Sequence, residues 1–127
     1  MATILIVDDL TANRKVLVTL LRARGDRAFE AAEGREALAV AQREHPDLII
    51  TDVLMPVMDG YEATRAIRAW EQEQDLPKTQ IIALTALVLK EEGEKILQAG
   101  CDAHVTKPIK RQTLLEVLQA CEGYRGA

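Results

Sequence analysis

Three runs in this chain, Ile4-Leu5-Ile6-Val7, Leu48-Ile49-Ile50-Thr51 and Ile81-Ile82-Ala83-Leu84, are apolar almost without a break. A strand with one wet face alternates apolar and polar residues, whereas a run that is apolar at nearly every position has both faces covered. Between these runs, Leu, Ile, Val and Ala recur at helical spacing. Short buried strands therefore alternate with amphipathic helices, which specifies an α/β fold built on a parallel sheet. Arg27–Ala31 is a more polar strand that suits a sheet edge, and Ala103–Thr106 is the fifth strand. The first helix is expected over 11–24, with Thr11 as its N-cap and Gly25 as its stop. The second covers 35–44 and ends before Pro46. The third starts at Asp59, has capping-box spacing to Glu62, and turns Ala63, Ala66, Ile67 and Trp70 inward. Segment 71–79, with Pro77, reads as a polar loop. The fourth helix lies within 87–99, with Ile96 and Leu97 inward and Gly100 closing it. The fifth covers 111–121, and 123–127 reads as a frayed end.

With one Trp, two Tyr and one Phe in 127 residues, the core must be made of Leu, Ile, Val and Ala. The length fits one domain over 1–127, and no repeat, low-complexity stretch or linker divides it. A net charge of −4 without a Lys/Arg cluster argues against direct nucleic-acid contact. No apolar stretch approaches the ~20 residues that span a bilayer. The N-terminus lacks the charged and apolar regions of a signal peptide. A cytoplasmic chain without membrane association is expected, with Cys101 and Cys121 as reduced thiols.

Four of the five strands end in or beside a residue that can do chemistry. Asp8 and Asp9 follow the first run, Asp52 the run at 48–51, Thr85 the run at 81–84, and Lys107 the last strand. In an open parallel sheet the C-terminal strand ends share one edge, where ligands bind. Taken singly, these residues have plainer readings: a helix cap for Asp8 or Asp9, a satisfied hydroxyl for Thr85, a solvated ammonium for Lys107. Their joint placement argues for a site. Three carboxylates suit Mg²⁺ (or Mn²⁺), with a carbonyl from the loop after Asp52 as a further ligand. Asp52 is the candidate nucleophile, since carboxylates form acyl-phosphates. Thr85 and Lys107 would hydrogen-bond and neutralise phosphoryl oxygens.

Asp8-Asp9, Asp52 followed by Met55-Pro56 and Asp59-Gly60, Thr85-Ala86, and Lys107-Pro108 together resemble the receiver domain of two-component response regulators. The resemblance covers essentially the whole chain, and 55–64 and 82–86 look most like the receivers of hybrid kinases. It implies a doubly wound, five-stranded parallel sheet in the order 2-1-3-4-5 with five helices, the flavodoxin-like arrangement of CheY. It implies that Asp52 accepts a phosphoryl group from a sensor histidine kinase or a histidine phosphotransfer protein. Asp9 and Asp52 would ligate Mg²⁺, Asp8 would act through a bound water, and the Leu54 backbone carbonyl would complete the protein ligands. Thr85 would move toward the phosphoryl oxygens, and Lys107, in a cis peptide with Pro108, would pair with them. The signal would pass to a downstream effector protein through the face of the fourth helix, fifth strand and fifth helix.

The chain departs from the family pattern at a few positions. Receivers usually carry Tyr or Phe three residues before the lysine; here His104 stands there, making Thr85 and His104 the switch pair. Leu54 and Leu87 lie two residues after Asp52 and Thr85, at positions that overhang the phosphorylation site in receivers. Leucine cannot orient water by hydrogen bonding, so slow autodephosphorylation is expected. Polar replacements at both positions should speed phosphate loss, followed as decay of the phosphorylated mass; an unchanged rate would count against shielding. Leu87-Val88-Leu89 and the helix-weakening Gly93 suit a partner surface that rearranges.

Other classes fit less well. A small-molecule aspartyl-phosphate phosphatase commonly places a general-acid Asp where Leu54 stands. A flavin module would want a Ser/Thr/Gly-rich phosphate loop where Asp8-Asp9 stand. The expectation is a switch that catalyses only its own phosphorylation and dephosphorylation and is not a metabolic enzyme. No output domain is legible. The Met1 start directly before the first strand favours a stand-alone or N-terminal receiver, with a receiver cut from a hybrid histidine kinase or multidomain regulator as the alternative.

Overall fold

The alternation of apolar runs and amphipathic stretches folds into β1 (Thr3–Val7), α1 (Thr11–Ala23), β2 (Arg27–Ala31), α2 (Gly34–Glu44), β3 (Leu48–Asp52), α3 (Gly60–Glu73), β4 (Gln80–Thr85), α4 (Lys90–Ala99), β5 (Ala103–Thr106) and α5 (Arg111–Gly126). This computed structural model describes residues 2–52, 60–85, 90–106 and 110–126, with backbone alone at 90–92 and 120–126. All five strands are parallel, in the order β2-β1-β3-β4-β5. The expected doubly wound sheet is therefore the observed one, with β2 at one edge and β5 at the other.

The strand period of two distributes the apolar runs between two cores. Ile4, Ile6, Leu48, Ile50, Ile82 and Leu84 face Leu17, Val18 and Leu21 of α1 and Leu114 and Leu118 of α5. Leu5, Val7, Ile49, Ile81 and Ala83 face Ala37, Val40 and Ala41 of α2, Ile67 of α3 and Ile96 of α4. Burying each such Leu or Ile contributes about 1.5–3 kcal/mol. Helices on both faces explain why the central runs carry almost no polar residue.

Several helix expectations are corrected. The N-cap of α1 is Leu10, not Thr11, and no side chain caps it. The Asp8 carboxylate instead accepts the Leu10 N–H at 2.9 Å, so the acid preceding the helix satisfies the backbone where it begins. α2 starts at Gly34, capped by the Glu33 carboxylate, and ends at His45 in the left-handed region, with φ 48°. The loop expected from residue 71 is helical through Glu73, and Glu71 is buried. The buried face of α3 is completed by Thr64 and Glu71 rather than by Ala66 and Trp70. Both polar side chains are satisfied there: Thr64 Oγ1 donates to the Gly60 carbonyl, and Glu71 Oε2 accepts the Thr79 N–H. Trp70 is half-buried against the tilted His45 ring, centroids 5.3 Å apart. In α4, Ile96 is buried but Leu97 is 62% exposed. Successive residues on a helix point about 100° apart, and α4 is turned so that Ile96, not Leu97, meets the core. α5 continues to Gly126 instead of ending at 121. The Asp59 cap and the Leu87-Val88-Leu89 run lie outside the described residues.

Two glycines in this half of the molecule should respond to alanine with opposite signs. A Cβ at Gly93, within α4, would meet nothing within 4 Å. Gly93→Ala should therefore stabilise by about 1 kcal/mol through helix propensity. Gly100 has φ +107°, and a Cβ there would stand 2.9 Å from Cγ of Arg68. Gly100→Ala should lower stability by more than about 1 kcal/mol. Urea unfolding midpoints check both signs.

Candidate functional site

The strand registers bring the expected residues to one edge. Val7 is level with Thr51, so Asp8 follows β1 beside Asp52, the last residue of β3. Asp52 pairs with Leu84, and Thr85 comes one residue later at the end of β4. This edge lies where the order reverses, since β1 leads outward to β2 on one side and to β3 on the other. One carboxylate oxygen from each of Asp8, Asp9 and Asp52 lies within 4.8 Å of the others. Asp8, Asp52 and Thr85 are buried, and Asp9 is exposed.

Three carboxylates so close, two of them buried, make a favourable place for a cation. Their donor set is all oxygen, which fits a hard divalent cation such as Mg²⁺, and the exposed Asp9 leaves a solvent side for the waters Mg²⁺ keeps. The Thr85 hydroxyl stands on the adjacent strand, level with Thr106 of β5. His104 is exposed on β5, level with Ala83 and thus two residues back from Thr85 along β4. Lys107, Pro108, Leu54, Leu87 and the 55–59 motif lie outside the described residues.

The acid pair is supported by residues that sequence reasoning passed over. The Asp8 N–H donates to the Ala31 carbonyl at 3.1 Å. Arg14, from the first turns of α1, donates through Nη1 to the Asp8 carbonyl at 2.7 Å and through Nε to Glu30 at 3.1 Å. Lys15 takes the other Glu30 oxygen at 2.8 Å. The Lys15 hydrogen bond, joined by Arg14, holds the Glu30 carboxyl below the usual glutamate range against the opposing effect of burial. The available signal was a pair of cations one helical turn after an acid pair, with a single acid in the neighbouring edge strand. Cys101 is a free, buried thiol, 3.6 Å from Thr64 Oγ1, and burial raises its pKa. It packs in the core cluster that includes Ile81, Ala83 and Ile96. No helix among the described residues is long and apolar enough to cross a membrane.

Comparison with known proteins matches residues 4–119 to the model of the response regulator receiver domain. The sensor protein GacS of Pseudomonas syringae pv. syringae is 42% identical over 115 residues, which cover 91% of this chain and 13% of that protein. The chain thus spans only a small part of that longer relative. The polar-differentiation response regulator DivK of Brucella ovis is 34% identical over 121 residues, covering 95% of this chain and 96% of DivK. Among solved structures, the receiver domain of a sensor histidine kinase from Pseudomonas aeruginosa is 41% identical with a TM-score of 0.84, covering 96% of this chain and 98% of that one. That structure holds a magnesium ion in its active site cleft.

Proposed function

We propose, because this chain belongs to the family of response regulator receiver domains, that it is a phosphorylation-dependent signalling switch whose acceptor is Asp52. The observation that carries the reading is the convergence of Asp8, Asp9 and Asp52 within 4.8 Å at the strand edge that also presents Thr85. The phosphodonor is a sensor histidine kinase or a histidine phosphotransfer protein. An Asp52 carboxylate oxygen attacks phosphorus in line, the P–N bond to the donor imidazole breaks, and that nitrogen keeps the bonding pair and picks up a proton. Asp8, Asp9 and Asp52, with the Leu54 carbonyl, would hold Mg²⁺, which when bound neutralises charge on the carboxylates and on the phosphoryl oxygens. The Thr85 hydroxyl donates to one phosphoryl oxygen, and the Lys107 ammonium pairs with another. The inward pull on Thr85, with His104 on the next strand, transmits the change to the α4-β5-α5 face and a downstream effector protein. Its chemistry is confined to its own phosphorylation and dephosphorylation, and its setting is the cytoplasm.

The kinship to GacS and to DivK supports a receiver either within a longer sensor protein or as a small regulator. Intact mass after incubation with acetyl phosphate or phosphoramidate tests the reading. A gain of one phosphoryl group that depends on Mg²⁺ is expected. No gain in folded, Mg²⁺-binding protein, with both small donors and with a phosphorylated histidine phosphotransfer protein, would overturn it.

A further inference from the structure

The acid cluster has a support that enters through the backbone. The β1–β3 ladder ends at Val7 and Thr51, so the Asp8 carbonyl lies past the last paired residue. A buried carbonyl needs a partner. Arg14 supplies it with a charge-assisted bond of 2.7 Å. The same guanidinium is held by Glu30, which is level with Ile6 in the β1–β2 register and shares the sheet face covered by α1. The Arg14 side chain is only 13% exposed. Its planar fork spans two acceptors, the Asp8 carbonyl and the Glu30 carboxylate, which a single ammonium cannot do in the same geometry.

That carbonyl belongs to the peptide unit joining Asp8 to Asp9. The unit is rigid, so holding its oxygen restrains ψ of Asp8 and φ of Asp9 together. The Asp8 carboxylate is already tied to the Leu10 N–H. Asp9 is exposed, and its direction depends on the orientation of this peptide. We propose that Arg14, clamped by Glu30, is a positioning residue that sets the Asp8–Asp9 peptide and so preorganises the carboxylate cluster for a divalent cation. The inference rests on the receiver reading above. Charge makes it testable, because two effects of removing Arg14 have opposite signs. A guanidinium beside the cluster repels a cation, so Coulomb's law alone has a neutral residue at 14 tightening Mg²⁺ binding. Loss of positioning weakens it.

The experiment is Mg²⁺ titration of the full chain by calorimetry, for wild type, Arg14→Gln, Arg14→Lys and Arg68→Gln, with urea unfolding of each in metal-free buffer. Arg68 is at the opposite end of the sheet, so its variant controls for general destabilisation. Arg14→Gln should bind Mg²⁺ about tenfold more weakly, the size of effect seen when groups supporting metal ligands are lost. Arg14→Lys should also bind more weakly, and Arg68→Gln should bind as wild type does. In metal-free protein the Leu10 amide should exchange faster in Arg14→Gln than in Arg68→Gln. Unchanged or tighter Mg²⁺ binding by folded Arg14→Gln would overturn the inference and leave the receiver reading standing. If that variant does not fold, wild-type affinity in Arg14→Lys overturns it instead. Wild-type protein that binds no Mg²⁺ overturns both. Wild-type protein that binds Mg²⁺ but takes no phosphoryl group from any donor overturns the receiver reading alone, and the affinities still decide the role of Arg14.

Discussion

Asp52→Asn should abolish uptake of the phosphoryl group. Asparagine keeps the shape of the side chain but has no anionic oxygen to attack phosphorus. It also removes one of the three carboxylates that gather within 4.8 Å, so the site loses cation affinity together with its nucleophile. The measurement is intact mass after incubation with acetyl phosphate and Mg²⁺, with wild type gaining one phosphoryl group and the variant none over the same time. Chelation of the metal should remove the wild-type gain. The loss is not an unfolding effect. Asp52 is 4% exposed beside the buried Asp8, and neutralising one of two neighbouring buried carboxylates relieves repulsion. The variant should therefore unfold at an equal or higher urea concentration in metal-free buffer. Uptake by Asp52→Asn equal to that of wild type would place the acceptor on another residue.

The largest effect on stability is expected at the other end of the sheet, from Arg68→Met. Arg68 donates through Nη1 to Glu71 at 2.7 Å, through Nη2 to Asp102 at 2.9 Å and through Nε to the Gly100 carbonyl at 3.0 Å. Glu71 in turn accepts the Thr79 N–H, and Asp102 accepts the Ile81 N–H, both at the start of β4. One guanidinium thus links α3, the entry to β4 and the turn between α4 and β5. The Glu71 side chain is 2% exposed. Methionine would fill the space and leave that carboxylate charged, buried and without its cation, which costs about 3–5 kcal/mol. Adding Glu71→Gln should recover part of the loss, because the amide oxygen still accepts the Thr79 N–H and carries no charge. Urea unfolding of the two single variants and the double variant measures the coupling. A loss under about 1 kcal/mol for Arg68→Met would mean the pair behaves as a solvent-screened surface contact.

Glu71 also shows where sequence reading met its limit. A polar stretch that contains Pro77 carries the usual marks of a loop, and periodicity of apolar residues stops at Trp70. The helix continues because two groups satisfy the buried carboxylate: Arg68, one turn earlier in the same helix, and the Thr79 N–H, which the fold brings in from the entry to β4. Leu97 misled for a different reason. Two adjacent apolar residues leave the phase of a helix ambiguous, and only packing chose Ile96. At the start of α1, capping preferences favoured Thr11, but Asp8 reaches the Leu10 N–H from the end of β1. The pattern of side chains at 8–11 allows either arrangement.

By itself, the sequence determined the sheet and which polar residues stand at its strand ends. Unbroken apolar runs demand cover on both faces, and a parallel sheet covered in that way puts every strand's C-terminal residue on one edge. Asp8, Asp52 and Thr85 were therefore legible as one site from their places at the ends of the runs at 4–7, 48–51 and 81–84. What only the tertiary structure decided were the contacts of guanidinium and carboxylate groups between elements: Arg14 on the Asp8 carbonyl and Glu30, and Arg68 beneath β4. Apolar burial repeats with the period of its own helix or strand, so it leaves a trace along the chain. A long charged side chain is satisfied by whichever partner the folded backbone brings within about 3 Å, and that distance is set between elements and has no period in the sequence.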